Sequence, residues 1–435
     1  METHIPEFVV TILERLHSSG YLAYIVGGAV RDMCFHRTVK DWDVATDAPP
    51  KKIRSIFGDI KNFSLKHETV TLVDCARHYQ VTTFRGSENL ERTIEKDLGY
   101  RDFTINAMAY DESKGEILDP YGGIEDISRK LVRTVGDPKE RFQEDPLRLL
   151  RAVRIATELG FRIDPKTSGT ISMMAGALAS VAQERIREEL MKILMSQKPS
   201  VGFNLMKRTG LLKQVLPELL EGYLKRQNSA YHRYTIYKHI LETIDHVEAD
   251  PLLRLTGLLH DIAKPFVRKK IGGEYHFFGH EEVSAGLSRE IMERLKFSNE
   301  TIGQVTNLIQ HHMIQYRSGW SDGAVRRLIR RVGSENIAPL LSIHRADILA
   351  AGRNDLRMNL LSELEKRIEA LSQSPIATKT RDLAIDGHKV MEILGLSKGP
   401  EVGKILDMLM EKVTDHPELN SEERLIAILQ DTGKE

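Results

Sequence analysis

Two aspartates separated by one residue, Asp41 and Asp43, follow shortly after a glycine pair, Gly27 and Gly28. On an extended strand, carboxylates at that spacing point to the same face. Two carboxylates on one face can hold the Mg²⁺ ions that align a 3′-hydroxyl with an α-phosphate. The glycine pair lets the backbone approach a triphosphate at the start of a helix. This combination predicts a metal-dependent nucleotidyl-transfer site, in preference to a glycine turn beside a polar strand edge.

A second polar segment runs from Arg101 to Ala109 and predicts a turn followed by a short amphipathic helix. Arg101 could reach a phosphate or a ribose, and Asn106 could cap the helix or bind the sugar. The segment from Asp119 to Ile127 predicts a strand, a turn and a helix. Its acidic residues suit a helix N-terminus, which favours an architectural role.

Three arginines recur at every third position after an Asp-Pro pair, at Arg148, Arg151 and Arg154. Asp145 and Pro146 would begin a helix as N-cap and first helical residue, and the arginines would wind slowly along one side of it. A carboxylate beside guanidinium groups can select a base, because it accepts a hydrogen bond from the amino group of cytosine or adenine. Uracil and guanine present a carbonyl there. The pattern therefore predicts selection of C or A without a nucleic-acid template.

In their order along the chain, these motifs resemble those of class II tRNA nucleotidyltransferases, the family of CCA-adding enzymes and poly(A) polymerases. The resemblance covers residues 21 to about 165. It rests on Gly-Gly-Ala-Val-Arg-Asp with Asp-x-Asp, Arg-Asp-Phe-Thr-Ile-Asn-Ala, Asp-Pro-x-Gly-Gly and Glu-Asp-Pro-Leu-Arg. It implies template-independent nucleotide addition to the 3′ end of tRNA, with Mg²⁺ as cofactor, CTP and in some members ATP as substrates, and pyrophosphate as product.

The resemblance implies that Asp41 and Asp43 are catalytic and hold Mg²⁺. Within the matching motifs, Asp145 and Arg148 would select the base. The full set of nucleotide-binding candidates is Gly27, Gly28, Arg31, Arg101, Asn106, Asp145, Arg148, Arg151 and Arg154.

The chain departs from the family pattern between two of these motifs. Only the segment from Gly86 to Lys96 separates Arg85 from Asp97, which is shorter than the flexible loop of members that build the whole CCA end. Tyr100 also stands where the family usually has an arginine. A clipped loop would be too short to move the base-selecting residues from C to A. The resemblance therefore favours CC addition, with a separate A-adding enzyme acting next, and full CCA addition is the alternative.

Histidines and aspartates in the second half of the chain suggest another metal site, because imidazole and carboxylate groups suit a transition metal or Mg²⁺. They resemble the HD phosphohydrolase superfamily, which implies phosphatase or cyclic-phosphodiesterase activity toward RNA ends. A decayed fold that only grips tRNA is the alternative. The implied ligands are His239, His260, Asp261 and Asp347, with His280 and His311 (or its neighbour His312) for a second divalent metal.

The order of predicted elements indicates an α+β fold, with a small mixed-sheet nucleotidyltransferase head followed by an elongated all-helical body that contains an HD domain. We predict a head over residues 1–135, a helical neck with the base-selecting helix over 136–215, an HD domain over 216–350 and a tRNA-binding helical tail over 351–435. In the tail, the glycine-rich segment Gly395–Lys404 could hold an RNA phosphate at a helix start.

Apolar runs and turn residues predict individual elements in the head. The predicted strands are Ala23–Val26, Trp42–Ala45, Thr69–Asp74, Tyr79–Phe84, Glu116–Asp119 and Leu131–Val135. The predicted helices are Pro6–Leu16, Val30–Phe35 and Pro50–Phe57. No strand is predicted after Pro138. Gly210–Tyr231 is the predicted junction before the HD domain, and Ser372–Arg381 resembles a linker.

The composition sets broad limits on function. The 435 residues carry 62 basic and 62 acidic side chains, so net charge does not indicate nucleic acid. The segment from Ile127 to Val215, however, has 17 Lys and Arg against 9 Asp and Glu, an excess of 17 − 9 = 8 positive charges. Two cysteines and the lack of a long apolar run fit a cytoplasmic protein that does not enter a membrane. Poly(A) synthesis, hydrolysis as the main activity and a non-catalytic RNA-binding role are weaker alternatives.

Overall fold

The computed structural model describes residues 5–64, 68–75, 77–86, 92–227, 233–352, 355–372, 377 and 379–432. Contacts divide the chain into two compact units, Met1–Val215 and Leu216–Glu435. The division into head, neck, HD domain and tail stays a prediction. Parts of both predicted linkers and of the short loop after Gly86 lie outside the described residues.

The described part of the first unit contains nine strands and eleven α-helices. The strands are β1 Ala23–Val26, β2 Asp43–Thr46, β3 Asn62–Ser64, β4 Thr69–Asp74, β5 Arg77–Thr83, β6 Ala109–Asp111, β7 Glu116–Leu118, β8 Leu131–Val132 and β9 Arg162–Ile163. The helices are α1 Glu7–Ser18, α2 Gly28–Cys34, α3 Pro50–Ile56, α4 Ile94–Gly99, α5 Gly123–Ser128, α6 Pro138–Glu144, α7 Arg148–Leu159, α8 Pro165–Met174, α9 Gln183–Leu194, α10 Pro199–Arg208 and α11 Leu211–Val215.

The described part of the second unit is helical apart from one small hairpin. Its helices are α12 Pro217–Leu220, α13 Ile236–His246, α14 Pro251–Leu259, α15 Lys264–Val267, α16 His280–Arg294, α17 Asn299–His311, α18 Asp322–Val332, α19 Ser334–Ala351, α20 Asp355–Ser372, α21 Gly387–Leu394, α22 Pro400–Asp415 and α23 Glu422–Thr432. The hairpin strands are β10 Lys269–Ile271 and β11 Glu274–His276.

Seven strands form one mixed sheet in the order β3-β4-β5-β2-β1-β6-β7, in which only the β2–β5 pair is parallel. The interior strand β1 is apolar throughout, and its alternating side chains supply two different cores. Ala23 and Ile25 join the core that includes α1, whereas Tyr24 and Val26 join the core on the other face. Burial on both faces fixes the register of β1 and β2, and the register places the polar residues that follow them.

The mixed-sheet head and the helical body agree with the predicted fold class. Several local predictions were wrong. The short helix predicted after Arg101 is only a single 3₁₀ turn, Thr104–Asn106, and the strand β6 that follows it was not predicted. Strand β3 was also missed, and β9, β10 and β11 lie after Pro138. No helix among the described residues is both long and apolar enough to cross a membrane.

The second unit has separate apolar cores. One includes residues of α18, α19 and α20, and another is formed by the tail helices α21, α22 and α23. Helix α18 joins them, because its arginines Arg327 and Arg330 pair with Asp415 and Glu411 on α22. A third helix group, α13, α14 and α19, packs together and carries His239, Asp347 and, at the end of α14, His260 and Asp261.

Candidate active site and a second polar cluster

The pairing of β1 with β2 brings the predicted phosphate loop beside the predicted metal ligands. Val26 lies opposite Asp43 in the ladder, so Gly27 follows directly next to that aspartate. Gly27 has a φ of 75°, in the left-handed region that favours glycine. A Cβ atom there would lie 2.9 Å from Nη1 of Arg101 and 3.7 Å from Oδ2 of Asp43. The glycine thus makes room for an arginine and a carboxylate at the start of α2.

The two predicted metal ligands lie close enough for the charge of Asp41 to affect the Asp43 carboxyl. Burial raises the pKa of the Asp43 carboxyl above its ordinary value, the charge of Arg101 opposes this rise, and the negative charge of Asp41 adds to it. Asp41 is exposed and precedes β2, so the two aspartates do not lie within one strand. A divalent cation shared by these acids would relieve their repulsion, so the residues fit the predicted Mg²⁺ site.

A chain of hydrogen bonds connects α2 to α7 through the 3₁₀ turn. Arg31 donates from Nη1 to Oδ1 of Asn106 at 2.8 Å, and Nδ2 of Asn106 donates to Oδ1 of Asp102 at 3.3 Å. Nε of Arg151 then donates to Oδ2 of Asp102 at 2.8 Å. Asn106 is buried, and its amide is used within the protein. Its predicted contact with the sugar stays a prediction.

The Asp102 carboxylate lies at the centre of this chain and is almost fully buried. Burial alone would raise its pKa, but the guanidinium of Arg151 and hydrogen bonds from Asn106 and the Phe103 amide lower the pKa to about 2. Asp102 was not among the predicted site residues. Its partner Arg151 therefore has a well-defined role in the structure, which is to tie α7 to the segment after Arg101.

The predicted base-selecting residues lie together just before and at the start of α7, and both are engaged with protein groups. Asp145 accepts two hydrogen bonds from Arg185, at 3.2 and 2.8 Å. Arg148 donates to Glu144 at 2.8 Å and to the carbonyl oxygen of Tyr100 at 3.0 Å. Helix α7 begins at Arg148, so Asp145 is not its N-cap. The Asp145 carboxylate accepts instead from the nearby Leu147 amide at 3.2 Å.

Arg154 is held by two acids, Glu158 on its own helix and the buried Glu189 on α9. Sequence reasoning missed Glu189 and Arg185, although their spacing of four residues places both on one face of α9. That face meets α7. Three of the predicted arginines are thus paired with acids across elements, or along α7, before any substrate binds.

The second cluster lies wholly within the second unit and is assembled from five helices or their ends. Nε2 of His239 lies 3.0 Å from Oδ1 of Asp347 and 3.3 Å from Oδ2 of Asp261. Nε2 of His260 lies 3.3 Å from the same Asp261 oxygen. The other oxygen, Oδ1, lies 3.3 Å from Nε2 of His280. The Asp261 carboxylate therefore faces two groups of histidines, the first with His239 and His260 at Oδ2 and the second with His280 at Oδ1.

His312 completes the second group, with its Nε2 3.6 Å from Oδ1 of Asp261 and 3.3 Å from Nε2 of His280. The structure corrects the prediction of His311 as a ligand. His311 is half-buried outside the cluster, and burial together with the charge of Arg331 lowers its pKa. Donor atoms of His239, His260, Asp261 and Asp347 lie within 4.8 Å of one another, as do those of Asp261, His280 and His312.

The outer ring nitrogens fix how these imidazoles face the cluster. Nδ1 of His260, His280 and His312 lies 2.7 to 2.8 Å from a backbone carbonyl oxygen. A carbonyl can only accept, so Nδ1 carries a proton and Nε2 is the atom offered to a cation. This arrangement fits a metal centre.

The charges agree with that interpretation. Burial alone would lower the pKa of His260, but Asp261 and Asp347 raise it to about 10. Burial would raise the pKa of Asp261, but His260 and Lys264, whose Nζ lies 2.6 Å away, hold it well below its ordinary value. The buried carboxylates thus stabilise the protonated form of histidine. A bound metal cation could take the place of those protons.

Comparison with known proteins places the chain in a family. A family model described as the poly A polymerase head domain matches residues 23–133, and one described as a probable RNA and SrmB-binding site of polymerase A matches residues 160–222. A tRNA nucleotidyltransferase domain 2 model matches residues 279–429. An A-adding tRNA nucleotidyltransferase of Deinococcus radiodurans is 33% identical over 410 residues, which are 89% of this chain and 91% of that protein. The chain belongs to the tRNA nucleotidyltransferase family.

Other tRNA nucleotidyltransferases match over nearly the whole chain. The CCA-adding enzyme of Limosilactobacillus reuteri is 30% identical over 438 residues, covering 98% of this chain and 96% of that protein. The crystal structure of the Bacillus stearothermophilus CCA-adding enzyme in complex with CTP superposes with a TM-score of 0.75 at 29% identity, covering 99% of this chain and 98% of that chain. The predicted family is therefore confirmed. The named relatives include both CCA-adding and A-adding enzymes.

Proposed function

We propose that this chain adds CMP residues from CTP to the 3′ end of tRNA, releases pyrophosphate and stops after two cytidines. The observation that carries the reaction type is the convergence of Gly27, Asp43 and Arg101 where β1 ends and β2 begins. Mg²⁺ held by Asp41 and Asp43 would stabilise charge on the α-phosphate and help deprotonate the 3′-hydroxyl. Arg101 would neutralise the incoming triphosphate, and the left-handed Gly27 gives the phosphates access to the backbone.

Base selection would use Asp145 and Arg148, with an exchange of partners. The Asp145 carboxylate is partly exposed and is forked by Arg185, so a cytosine amino group must compete with that guanidinium. Arg148 would turn from Glu144 to the ring nitrogen or carbonyl of the base. Arg151 is tied to the buried Asp102 and would position α7 rather than contact the base.

The short segment after Arg85 supports termination after CC, and full CCA addition is the alternative. A third outcome has direct support from the Deinococcus radiodurans relative, which is named an A-adding enzyme. Purified protein is incubated with Mg²⁺ and tRNA that ends before, within or after CC, with CTP and ATP supplied singly and together. Two cytidines and no adenosine support the proposal. A following adenosine shows full CCA addition, and adenosine added only to tRNA ending in CC shows an A-adding enzyme.

Two variants connect this assay to the structure. Asp43→Asn removes a predicted metal ligand, and we expect addition to fall by at least two orders of magnitude. Asp59→Asn is the matched control, because Asp59 is exposed and pairs with Arg15 at the surface, away from the predicted site. Extension by the Asp43 variant at the parental rate would refute the assignment of the site.

The second polar cluster favours a second activity. We call it the histidine–aspartate cluster, and its members are His239, His260, Asp261, His280, His312 and Asp347. We infer that it binds one or two divalent metals and hydrolyses a phosphate ester, in which a water oxygen bonds to phosphorus and the alcohol leaves with a proton. The buried Lys264 would neutralise charge beside Asp261. A His260→Ala variant should lose bound metal and cyclic-phosphate hydrolysis but keep tRNA extension. A variant that still hydrolyses the ester would show that the activity lies elsewhere.

The tail would contact tRNA. In support, its three helices form their own apolar core, and the segment Gly395–Pro400 leads into the long helix α22. Lys398→Ala together with Lys404→Ala should weaken tRNA binding and reduce its salt dependence without changing CTP binding.

A further inference from the structure

A cavity of about 480 Å³ lies within the second unit, next to the group of the histidine–aspartate cluster that contains His280 and His312. Its lining includes acidic, amide and aromatic side chains from the start of α16, the end of α17 and the segment that leads into α18. The residues that define its chemistry are Glu281, Glu282, Gln310, His311, Trp320 and Arg331. The volume is within the range of small-molecule sites and exceeds what a metal and its waters need.

The same two helix ends build the cluster and the cavity. His280 begins α16 and faces Asp261, whereas its neighbour Glu281 lines the cavity. The Glu281 carboxylate lies 3.4 Å from Nδ1 of His280. At the end of α17, His312 faces the cluster and His311 lines the cavity. Two residues that line the cavity, Glu281 and His311, are therefore the sequence neighbours of the cluster histidines His280 and His312, and Glu281 contacts His280 directly.

The lining chemistry suits a neutral aromatic ring with hydrogen-bonding groups. Trp320 offers an indole, and an edge contact with Tyr316 at 5.5 Å between ring centroids holds that indole in place. Gln310 offers both a donor and an acceptor. The two glutamates outnumber Arg331, so the net charge of the lining disfavours a phosphate, and their carboxylates accept hydrogen bonds from an amino group or from ribose hydroxyls.

We propose that this cavity binds the base and ribose of a terminal nucleotide while its phosphate ester lies at the histidine–aspartate cluster. The substrate would thus be held by its base and ribose in the cavity as well as by its phosphate at the cluster. This inference rests on the proposed phosphohydrolase function of the cluster. It adds a nucleoside-binding subsite to that function, built from Gln310, Trp320 and the two glutamates.

The chain offers a natural reporter, because it contains two tryptophans, Trp42 in the first unit and Trp320 in the cavity. In a Trp42→Phe variant of the full chain, Trp320 alone gives tryptophan fluorescence. Titration with neutral adenosine or cytidine should quench it with saturation, since a stacked base quenches indole emission. Inorganic phosphate, without added metal, should leave it unchanged.

Two glutamines on α17 give a matched pair of variants. Gln310→Ala removes a lining amide and should weaken nucleoside binding about fivefold, which corresponds to one hydrogen bond. Gln304→Ala removes an exposed amide from the same helix outside the cavity and should leave the Kd unchanged. Equal effects of the two substitutions, or equal quenching by phosphate, would overturn the proposal.

Hydrolysis of a nucleoside 2′,3′-cyclic phosphate is measured on the same protein. The nucleoside-binding cavity and the phosphohydrolase function can then be refuted independently of each other. Hydrolysis without quenching by nucleosides refutes the cavity assignment and leaves the phosphohydrolase function standing. Quenching that survives in His260→Ala, where hydrolysis is lost, supports the cavity as a separate subsite. Quenching without any hydrolysis in the parent keeps the nucleoside site but removes the proposed enzymatic role.

Discussion

Replacing Asp102 with asparagine removes one charge from the chain of contacts that joins α2 to α7. The variant keeps the shape of the side chain and keeps an acceptor for the Phe103 amide. It loses the ion pair with Arg151, in which Nη2 lies 2.6 Å from Oδ2 of Asp102. We expect lower stability of the first unit and slower nucleotide addition, because α7 would no longer be held against the segment after Arg101.

The size of the stability loss follows from the pKa of Asp102, which folding lowers from 3.8 to about 2. The difference of about 1.8 units corresponds to about 2.4 kcal/mol at neutral pH. Because the folded-state pKa is depressed, this contribution is fully present above pH 3.8 and is lost as the pH falls through 2. About half of it should remain at pH 3.

Urea unfolding of the first unit can be followed by the emission of Trp42, which is buried in its core, in a Trp320→Phe background. The Asp102→Asn variant should unfold at a lower urea concentration at pH 7, and the deficit should shrink toward pH 3. Asp59→Asn is the control, because Asp59 forms an exposed pair with Arg15. Equal midpoints at pH 7, or a deficit of the same size at pH 3, would refute the reasoning.

Three further substitutions test side-chain packing and the histidine–aspartate cluster. Gly123→Ala places a methyl group against the backbone carbonyl of the 3₁₀ turn, and we expect a loss of about 2 kcal/mol in urea unfolding. Gly323→Ala pushes against Asp415, so the tail should become more sensitive to proteolysis than in the parent. His312→Ala should lower the metal content measured by atomic emission, whereas His311→Ala should leave it unchanged.

Matched glycines control the first two substitutions. Gly169 on α8 and Gly403 on α22 have no heavy atom within 4 Å of an added Cβ, and alanine favours a helix. Gly169→Ala and Gly403→Ala should therefore be neutral or stabilising. Destabilisation of the same size in these controls would contradict the packing argument, and a larger metal loss in the His311 variant would contradict the cluster assignment.

Local sequence predicted the elements whose own residues determine them. Strands β1 and β4 have the predicted bounds, because β1 is a continuous apolar run and β4 is rich in the β-branched residues threonine and valine. Strand β6 was missed because Ala109–Asp111 is short, and its pairing with β1 supplies the ordering that its own sequence does not. Short strands of this kind depend on their neighbours.

The sequence motifs predicted the site residues, but they did not predict which side chains bind those residues in the folded protein. Arg185 and Asp102 lie 40 and 49 residues from the side chains they bind, and no local pattern connects such positions. His311 and His312 are adjacent and chemically identical, so only the packing of α17 decides which one faces Asp261. Long-range pairing and helix orientation are therefore what the sequence left open.

Arg185 donates two hydrogen bonds to Asp145, so both side chains have partners within the protein before any substrate binds. If Asp145 selects the base as proposed, an entering base would gain only the difference between its own hydrogen bonds and the internal pair that it displaces. A pyrimidine that forms one good bond but leaves the freed guanidinium unsatisfied would then be turned away. Discrimination would thus begin with the cost of opening this pair, before any chemistry takes place.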